Sequence, residues 1–316
     1  MRLQGNQALF DSVQSRRFHT LLRGPVIPQS GPWDDSAVRF SHATPSMTFP
    51  FRRLAAFLLA GSTFLASSAT VAQQGQDLNS LVIANKQSML SERVLKCYAQ
   101  EFLRVQSDKA ASSLQQGIAE LRNNNAALKP SASEAATPLL SKQGRLIDQL
   151  AGIVAQTPNP ETLSQAFSVS EELWVNAEST TRTYHGTAPA ALLSLASSQR
   201  MLTQRTAAMY FLQQTPLKSK ELKGYLGDAD SKFKNTTSAF GDHEGDFPGI
   251  AANLELARLQ MIFFDNAVHH IDAPTKEQML SVATASDRIL DQMEELTKNV
   301  LNRILAQSPP TKTRHK

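Results

Sequence analysis

The side chains in this sequence that could do chemistry are concentrated in a segment that occurs twice. Residues 84–98 read ANKQSMLSERVLKCY and residues 196–210, which lie 112 positions later, read ASSQRMLTQRTAAMY, with six of fifteen positions identical. Average residue usage would give about one identity by chance. Both copies keep an arginine, Arg93 and Arg205, whose planar guanidinium can hold an oxyanion or a carboxylate through two parallel hydrogen bonds. The duplicated segment is therefore the first candidate for a binding site.

The motifs of common catalytic and metal sites are missing from the sequence. It contains no Gly-x-Ser-x-Gly or Walker-type loop, no His-Glu-x-x-His and no Cys-x-x-Cys-His. None of the seven histidines has a glutamate three positions before it, as di-iron bundles require. His269 and His270 could chelate a metal together with Asp265, but we favour a solvated helix end, where histidine complements the helix dipole. The sequence thus predicts no enzyme, no metal and no cofactor.

The first 72 residues do not resemble part of a folded domain. Residues 1–46 are polar and lack apolar periodicity, which indicates a disordered extension or a true start at Met47 rather than Met1. Residues 47–72 combine two arginines, an apolar run of 13 residues and small residues, as is typical of a cleaved signal peptide. The run is too short for a membrane span, which needs roughly 20 residues. We expect a periplasmic or secreted protein, with an uncleaved signal anchor in the inner membrane as the alternative.

Residues 73–316 carry no net formal charge and contain one cysteine. Residues 73–316 hold 25 basic and 25 acidic residues, so they lack the basic surplus of a nucleic-acid-binding protein. The one cysteine, Cys97, excludes an intramolecular disulfide and falls on a helical apolar line. We therefore expect Cys97 to pack in the core and expect no nucleic acid among the partners.

Helical periodicity dominates the sequence after residue 78. Apolar residues recur there at three- and four-residue spacing, which is the helical period. Glycine and proline cluster between these segments, where they start or end helices. The pattern predicts four helices in each copy, at 79–106, 108–128, 138–157 and 160–184, and then at 189–214, 217–241, 248–271 and 275–307.

The duplication extends beyond the first helix of each copy. Residues 170–179, in a fourth predicted helix, match residues 286–295 at an offset of 116. A repeat of this length is a small domain rather than a solenoid unit, and short loops between antiparallel helices favour a four-helix bundle. We expect an all-α fold of two tandem antiparallel four-helix bundles, eight helices related by a pseudo-two-fold. The bundles would span 73–187 and 188–307, with a disordered tail at 308–316.

The duplicated segment resembles the first helix of the PilJ/NarX-type extracytoplasmic sensor domain, the N-terminal domain of the type IV pilus methyl-accepting chemotaxis transducer. That family shares a pattern close to N-x-A-G-x-x-R-M-L-S-Q-R, which is similar to RMLTQR at residues 200–205. ILDQMEELTKNV at 289–300 is similar to the family's last helix. The resemblance implies an antiparallel four-helix bundle, which can occur in tandem copies, and a role in nitrate or nitrite sensing or in chemotaxis.

The resemblance also implies a ligand site. In nitrate-sensing members the arginine before the methionine binds nitrate between two subunits, and that position is Arg200 in the second copy and Ser88 in the first. If the copies pack about a pseudo-two-fold axis, Arg200 would lie opposite Ser88, with Lys86 nearby. Arg200 and Arg205 point about 140° apart on one helix, so they cannot close on one ligand as a pair. The candidate anion-binding residues are Arg200, Arg205, Arg93, Ser88, Lys86 and Gln204.

Two functions are consistent with this sequence. The first is an exported sensor-type module that binds a small oxyanion such as nitrate or nitrite. Because the sequence has no kinase, methylation helices or second membrane span, that module would report to a separate membrane transducer or sensor kinase, and a homodimer is a further option. The alternative is a periplasmic protein–protein interaction module of a chemosensory or pilus-linked pathway, without a ligand. The loss of the arginine at Ser88 favours it, and its arginines would pair with carboxylates such as Glu92.

Overall fold

The structure is a computed structural model that describes residues 66–184, 190–241, 250–269 and 271–307. In these ranges 87% of the residues are helical and no strand occurs, which confirms the predicted all-α class. The expected N-terminal extension, residues 47–65 of the expected signal peptide and the tail lie outside the described residues. None of the described helices combines the length and the apolar character that a membrane span requires.

Eight α-helices lie in the described ranges, as many as the sequence pattern predicts. The first half contains α1 (Ala66–Leu103), α2 (Ser107–Leu128), a 3-10 turn (Lys129–Ser131), α3 (Ala136–Val154) and α4 (Pro160–Arg182). The second half contains α5 (Ala190–Leu212), α6 (Lys220–Gly241), α7 (Ile250–His269) and α8 (Lys276–Gln307). The largest difference from the predicted bounds is that α1 is helical from Ala66, the first described residue, which lies within the expected signal peptide, whereas the prediction began at residue 79.

A local sequence signal explains where α4 begins. The side-chain oxygen of Asn159 accepts hydrogen bonds from the backbone N–H groups of Glu161 (2.9 Å) and Thr162 (3.0 Å). Pro160 occupies the first helical position, where the missing proline N–H would have had no partner in the helix. Asn159 and Pro160 therefore start α4, at the residue where the predicted helix 160–184 begins.

The duplicated helices, α1 and α5, form the most extensive helix contact within one compact unit. Helix α1 also packs on α2 and α4, while α5 packs on α6 and α8. Helix α3 lies against α4, and α7 lies against α8. Because α1 and α5 have neighbours on several sides, most of their side chains in 78–103 and 193–212 are buried. The buried set includes the expected core residues Met89, Leu90, Cys97, Met201 and Leu202.

One side-chain contact recurs in both halves at equivalent positions. Gln87 Nε2 donates a hydrogen bond to the backbone carbonyl of Leu121 at 3.2 Å, and Gln199 Nε2 donates to that of Phe233 at 3.0 Å. The two donors and the two acceptors are each related by the 112-residue offset of the duplicated segment. The first and second helices of each half therefore contact each other in the same register.

Candidate functional site

Arg205 lies in a buried ion cluster between α1, α4 and α5. Its Nη1 donates to Glu92 Oε1 at 2.5 Å and to Glu171 Oε1 at 2.6 Å, and its Nη2 donates to Glu171 Oε2 at 3.0 Å. The guanidinium also lies over the ring of Trp174, with Cζ 4.3 Å from the ring centroid, within the range of a cation–π interaction. An anion would have to displace a carboxylate to reach the Arg205 guanidinium. The anion-binding role of Arg205 therefore stays a prediction.

The ion cluster of Arg205, Glu92 and Glu171 holds two carboxylates for one guanidinium. Burial, together with the charge of Glu171, raises the pKa of Glu92 from 4.5 to about 7, although Arg205 opposes this shift. Glu92 Oε2 has no hydrogen-bond partner among the described residues. The cluster therefore carries a surplus negative charge at high pH, and Glu92 relieves it by taking up a proton near neutral pH.

Two further candidates, Gln204 and Arg93, interact with α8. Gln204 Nε2 donates to the backbone carbonyl of Ser286 at 3.1 Å. Arg93 is half-buried, and its Nε has no partner in the described part of the chain. Its positive charge acts on Asp291, whose pKa burial raises and Arg93 partly lowers. Both side chains therefore interact with α8 rather than with Ser88.

A buried lysine that sequence reasoning missed also connects α1 to α8. Lys96, whose side chain is 1% exposed, donates from Nζ to Asp287 Oδ1 at 2.6 Å and to Ser286 Oγ at 3.2 Å. Lys109 of α2 lies 2.7 Å from Asp287 Oδ2. Burial alone would raise the pKa of Asp287, but the two lysines hold it below its ordinary value. Asp287 is therefore charged in the folded protein and tied to two helices of the first half.

Arg200 and Lys86, the two cationic candidates of the predicted slot, interact with the same two carboxylates. Lys86 Nζ lies 2.5 Å from Glu120 Oε1 and 3.3 Å from Glu294 Oε1. Burial lowers the pKa of Arg200, while the charges of Glu294 and Glu120 oppose that effect. Arg200 Nη2 donates to Ser197 Oγ at 3.1 Å, and its Nε has no partner within the described ranges. The structure thus brings Arg200 and Lys86 into a group of two cations and two anions with no net charge.

A cavity of about 120 Å³ lies where α1, α4 and α5 meet. For comparison, an engineered apolar cavity of about 150 Å³ binds benzene, and about 10–15 Å³ is enough for one water molecule. The cavity therefore has room for a ligand of a few non-hydrogen atoms or for several waters. It is lined by Asn85 and Ser88 of α1, by Glu178, Thr181 and Arg182 of α4, and by Ser194, Ser197 and Ser198 of α5.

Three residues that line this cavity each have a buried side-chain polar atom without a partner among the described residues. Asn85 Nδ2, Thr181 Oγ1 and Ser194 Oγ have no hydrogen-bond partner in the part of the chain that the structure describes. Only 8% of Asn85 and 3% of Thr181 is exposed. A buried polar group without a partner costs about 1–3 kcal/mol. A bound polar molecule toward which these side chains rotated would supply the missing partners and recover that free energy.

Of the predicted candidates, Ser88 lines the cavity and Arg200 lies behind its wall. Ser88 Oγ donates to the backbone carbonyl of Asn85 at 3.1 Å, and Arg200 reaches the wall through its hydrogen bond to Ser197. Sequence reasoning missed the other lining residues. The three lining serines of α5 are spaced three and four residues apart, a polar helix face that could have indicated a site.

Comparisons with other proteins do not identify a relative. No family model, no curated protein and no solved structure matches this chain. The resemblance to the PilJ/NarX-type sensor domain therefore stays a prediction from the residues that carry it. Among the described residues, no group of three or more histidine, cysteine, aspartate or glutamate side chains could hold a metal. The side chains of His269 and His270 lie outside that description.

Proposed function

We propose that this chain is a sensor-type binding module for a small polar ligand, held in the cavity between α1, α4 and α5. The observation that carries the proposal is that three residues lining the cavity, Asn85, Thr181 and Ser194, each have a buried side-chain polar atom without a partner among the described residues. The residues that carry these atoms line a space of about 120 Å³. A ligand with several hydrogen-bonding atoms matches both features.

We further propose that the chain forms two tandem four-helix bundles, α1–α4 and α5–α8, related by a pseudo-two-fold. The repeated hydrogen bonds of Gln87 and Gln199 support this arrangement, as does the packing of α1 against α5. The cavity would then lie at the boundary, because Asn85 belongs to the first bundle and Ser197 to the second. Ligand binding would bias the position of one bundle against the other, a movement that a separate transducer or kinase could detect.

Hydrogen-bonding capacity, rather than net positive charge, supports ligand binding at this site. The lining amide and hydroxyl groups suit an oxyanion such as nitrate or nitrite, the ligand class that the resemblance implies. However, Arg205, Arg200 and Lys86 all interact with carboxylates. Glu178 and Arg182 add one negative and one positive charge to the cavity wall. Small cations and neutral polar molecules therefore belong in the same screen as nitrate.

A thermal-shift titration of the purified protein tests the proposal. Nitrate, nitrite, sulfate, methylammonium and ethanolamine are added at one ionic strength, with sodium chloride as the reference. A ligand that binds only the folded state adds about 2.7 kcal/mol at 100 times its Kd, and each kcal/mol raises the Tm by about 2–4 °C for a domain of this size. We expect a selective rise with at least one probe. No rise with any of them contradicts the proposal.

Thr181→Val and Thr206→Val are a matched pair of variants for locating the ligand. Both threonines are buried with an unpaired Oγ1 among the described residues, and Thr181 lines the cavity whereas Thr206 does not. Valine keeps the shape and removes a hydroxyl that has no partner, so neither change should lower stability. Loss of one hydrogen bond to the ligand should weaken binding roughly three- to tenfold in Thr181→Val alone. Equal effects in both variants would place the ligand elsewhere.

An exposed apolar face on α7 supports the alternative function, a protein–protein interaction module. Leu256, Leu259 and Ile262 are 49%, 45% and 65% exposed, and their three-residue spacing puts them on one side of the helix. Exposed apolar patches often mark interaction surfaces. Under this alternative none of the probes raises the Tm, and Ile262→Glu abolishes binding to the partner protein without lowering the Tm.

A further inference from the structure

Helix α7 can be compared with α3, the third helix of the first half, position by position. Three buried positions of α3 coincide with buried positions of α7 after a shift of 114 residues, which lies between the repeat offsets of 112 and 116. The three pairs are Leu140 and Leu254, Gln143 and Ala257, and Leu150 and Phe264. The two helices therefore bury equivalent faces, and the same shift relates the positions that they expose.

The exposed face of α7 is apolar at positions where the exposed face of α3 is charged. The shift relates three exposed charged residues of α3 to three exposed apolar residues of α7, which are Lys142 to Leu256, Arg145 to Leu259 and Asp148 to Ile262. Charged residues are usual on the solvent face of a helix, and α3 follows that rule. The three apolar residues, called the α7 row below, depart from it. Such a contiguous exposed apolar row is typical of a surface that another molecule covers.

The α7 row is symmetrical about Leu259. Leu256 and Ile262 lie three positions to either side of it, and the exposed residues Ala252 and Asn266 lie seven positions to either side. Seven positions are about two helical turns, so these two residues lie on the same line as Leu259. In an antiparallel pair of α7 helices with a two-fold axis at Leu259, Leu256 of one copy is level with Ile262 of the other. The row therefore matches a second copy of itself, with apolar residues opposite apolar residues.

The charges beside the α7 row also permit contact between two copies. The exposed side chains that the structure describes on α7 carry one charge, that of Glu255, and Arg258 Nη1 lies 3.9 Å from Glu255 Oε2 in the same chain. Two such faces have no net charge and do not repel each other. The exposed face of α3 contrasts with this, because Lys142, Arg145 and Asp148 would bring a surplus positive charge from each copy. Like charges across an interface oppose association, so α7 suits self-contact and α3 does not.

We propose that two copies of this chain form a homodimer through the α7 row, with the two α7 helices antiparallel about a two-fold axis at Leu259. Two-fold dimers are the commonest symmetric assemblies. Helix α7 has 20 residues, several of them buried, whereas each side of a standard interface uses about 20–30. We therefore expect a weak dimer that dissociates on dilution. The cavity lies between α1, α4 and α5, so this inference does not depend on a ligand there.

Sedimentation velocity of the full-length protein over a concentration series tests the dimer. Leu259→Arg introduces the residue type that α3 has at the equivalent exposed position, and it would place two arginines on the two-fold axis. We expect the dissociation constant of the dimer to rise at least about 100-fold, with the Tm of the dilute monomer unchanged. Val175→Arg, at an exposed apolar position of α4, is the control and should keep the dimer. A wild type that is monomeric at every concentration, or a dimer that Leu259→Arg leaves intact, would overturn the proposal.

A mixture of two variants tests the position of the two-fold axis. Leu259→Arg and Leu259→Asp should each be monomeric, because each would set like charges against each other. An equal mixture sets arginine against aspartate, so it should associate at least about tenfold more tightly than either variant alone. A mixture that stays monomeric would overturn the axis at Leu259. If either change lowers the Tm, Ile262→Asp replaces it in the concentration series, and an intact dimer in that variant would again overturn the proposal.

Discussion

Charged side chains are buried on the two duplicated helices. Lys96 is 1%, Arg205 8% and Glu92 0% exposed at the side chain, and each has an oppositely charged partner. Desolvation offsets much of the attraction in a buried ion pair, whereas a buried charge without its partner is strongly destabilising. We infer that these charged residues mainly specify how the helices pack. Only one rotation of α1 and α5 against α4 and α8 pairs all of these buried charges.

The ion cluster of Arg205, Glu92 and Glu171 makes stability depend on pH. Because the pKa of Glu92 is raised from 4.5 to about 7, the folded protein holds between these values a proton that the unfolded chain has released. The stabilisation from this proton is complete below about pH 4.5 and is lost as the pH rises through about 7. Its size is on the order of 3 kcal/mol. Relative to Glu92→Gln, which cannot ionise, the wild type should lose free energy of unfolding between pH 5 and pH 8.

Urea denaturation at pH 5 and at pH 8 measures this loss. Tyr225 of α6 also interacts with Glu171, but burial raises its pKa further above neutrality, so it does not titrate between the two pH values. Glu134→Gln, at an exposed position, is the control and should keep the wild-type pH dependence. A pH dependence that is the same in the wild type and in Glu92→Gln would contradict the assignment.

At the scale of the element, the helices were predictable because their signals are local. Apolar spacing and the positions of proline and glycine indicate the eight helices, and Asn159 with Pro160 marks the start of α4. The helical conformation of residues 66–78 was not predictable. Residues 66–72 are mostly small and follow an apolar run, which is equally typical of the end of a signal peptide.

The candidate site was predictable only in part. The resemblance of the duplicated segment to the sensor domain pointed to Ser88 and Arg200, and the structure places one on the cavity wall and the other behind it. Thr181 lies on α4, outside the duplicated segment. The pair of Lys96 and Asp287 joins residues 191 positions apart. Spacing rules apply to neighbours on one helix, so they do not show which faces of separate helices meet.

Helices α1 and α2 approach each other closely at Gly117. A Cβ at this position would lie 2.8 Å from Val94 Cγ2, and a valine in a helix has essentially one rotamer. Gly117→Ala should therefore lower the free energy of unfolding by about 1–3 kcal/mol through overpacking. Gly152→Ala in α3 is the matched control, because its Cβ would meet nothing within 4 Å. It should raise stability by up to about 1 kcal/mol, and equal effects in urea denaturation would contradict the argument.

At the scale of the whole molecule, reciprocal ion pairs join the two halves. Arg205 of α5 pairs with Glu171 of α4, and Lys96 of α1 pairs with Asp287 of α8. The two carboxylates are related by the 116-residue offset. The first helix of each half therefore supplies a cation to the fourth helix of the other half, in addition to the packing of α1 against α5.

Because the halves bury each other's first helices, we expect neither half to fold alone. A separated half would expose the apolar side of α1 or α5 and would leave Lys96 or Arg205 without its partner across the boundary, which is costly. The full chain should unfold in one transition with coincident midpoints by circular dichroism and by tryptophan fluorescence. Residues 66–184 by themselves should show no cooperative melting, and adding residues 190–307 should restore it. Cooperative melting of either isolated half would show that the contact between α1 and α5 is not required for folding.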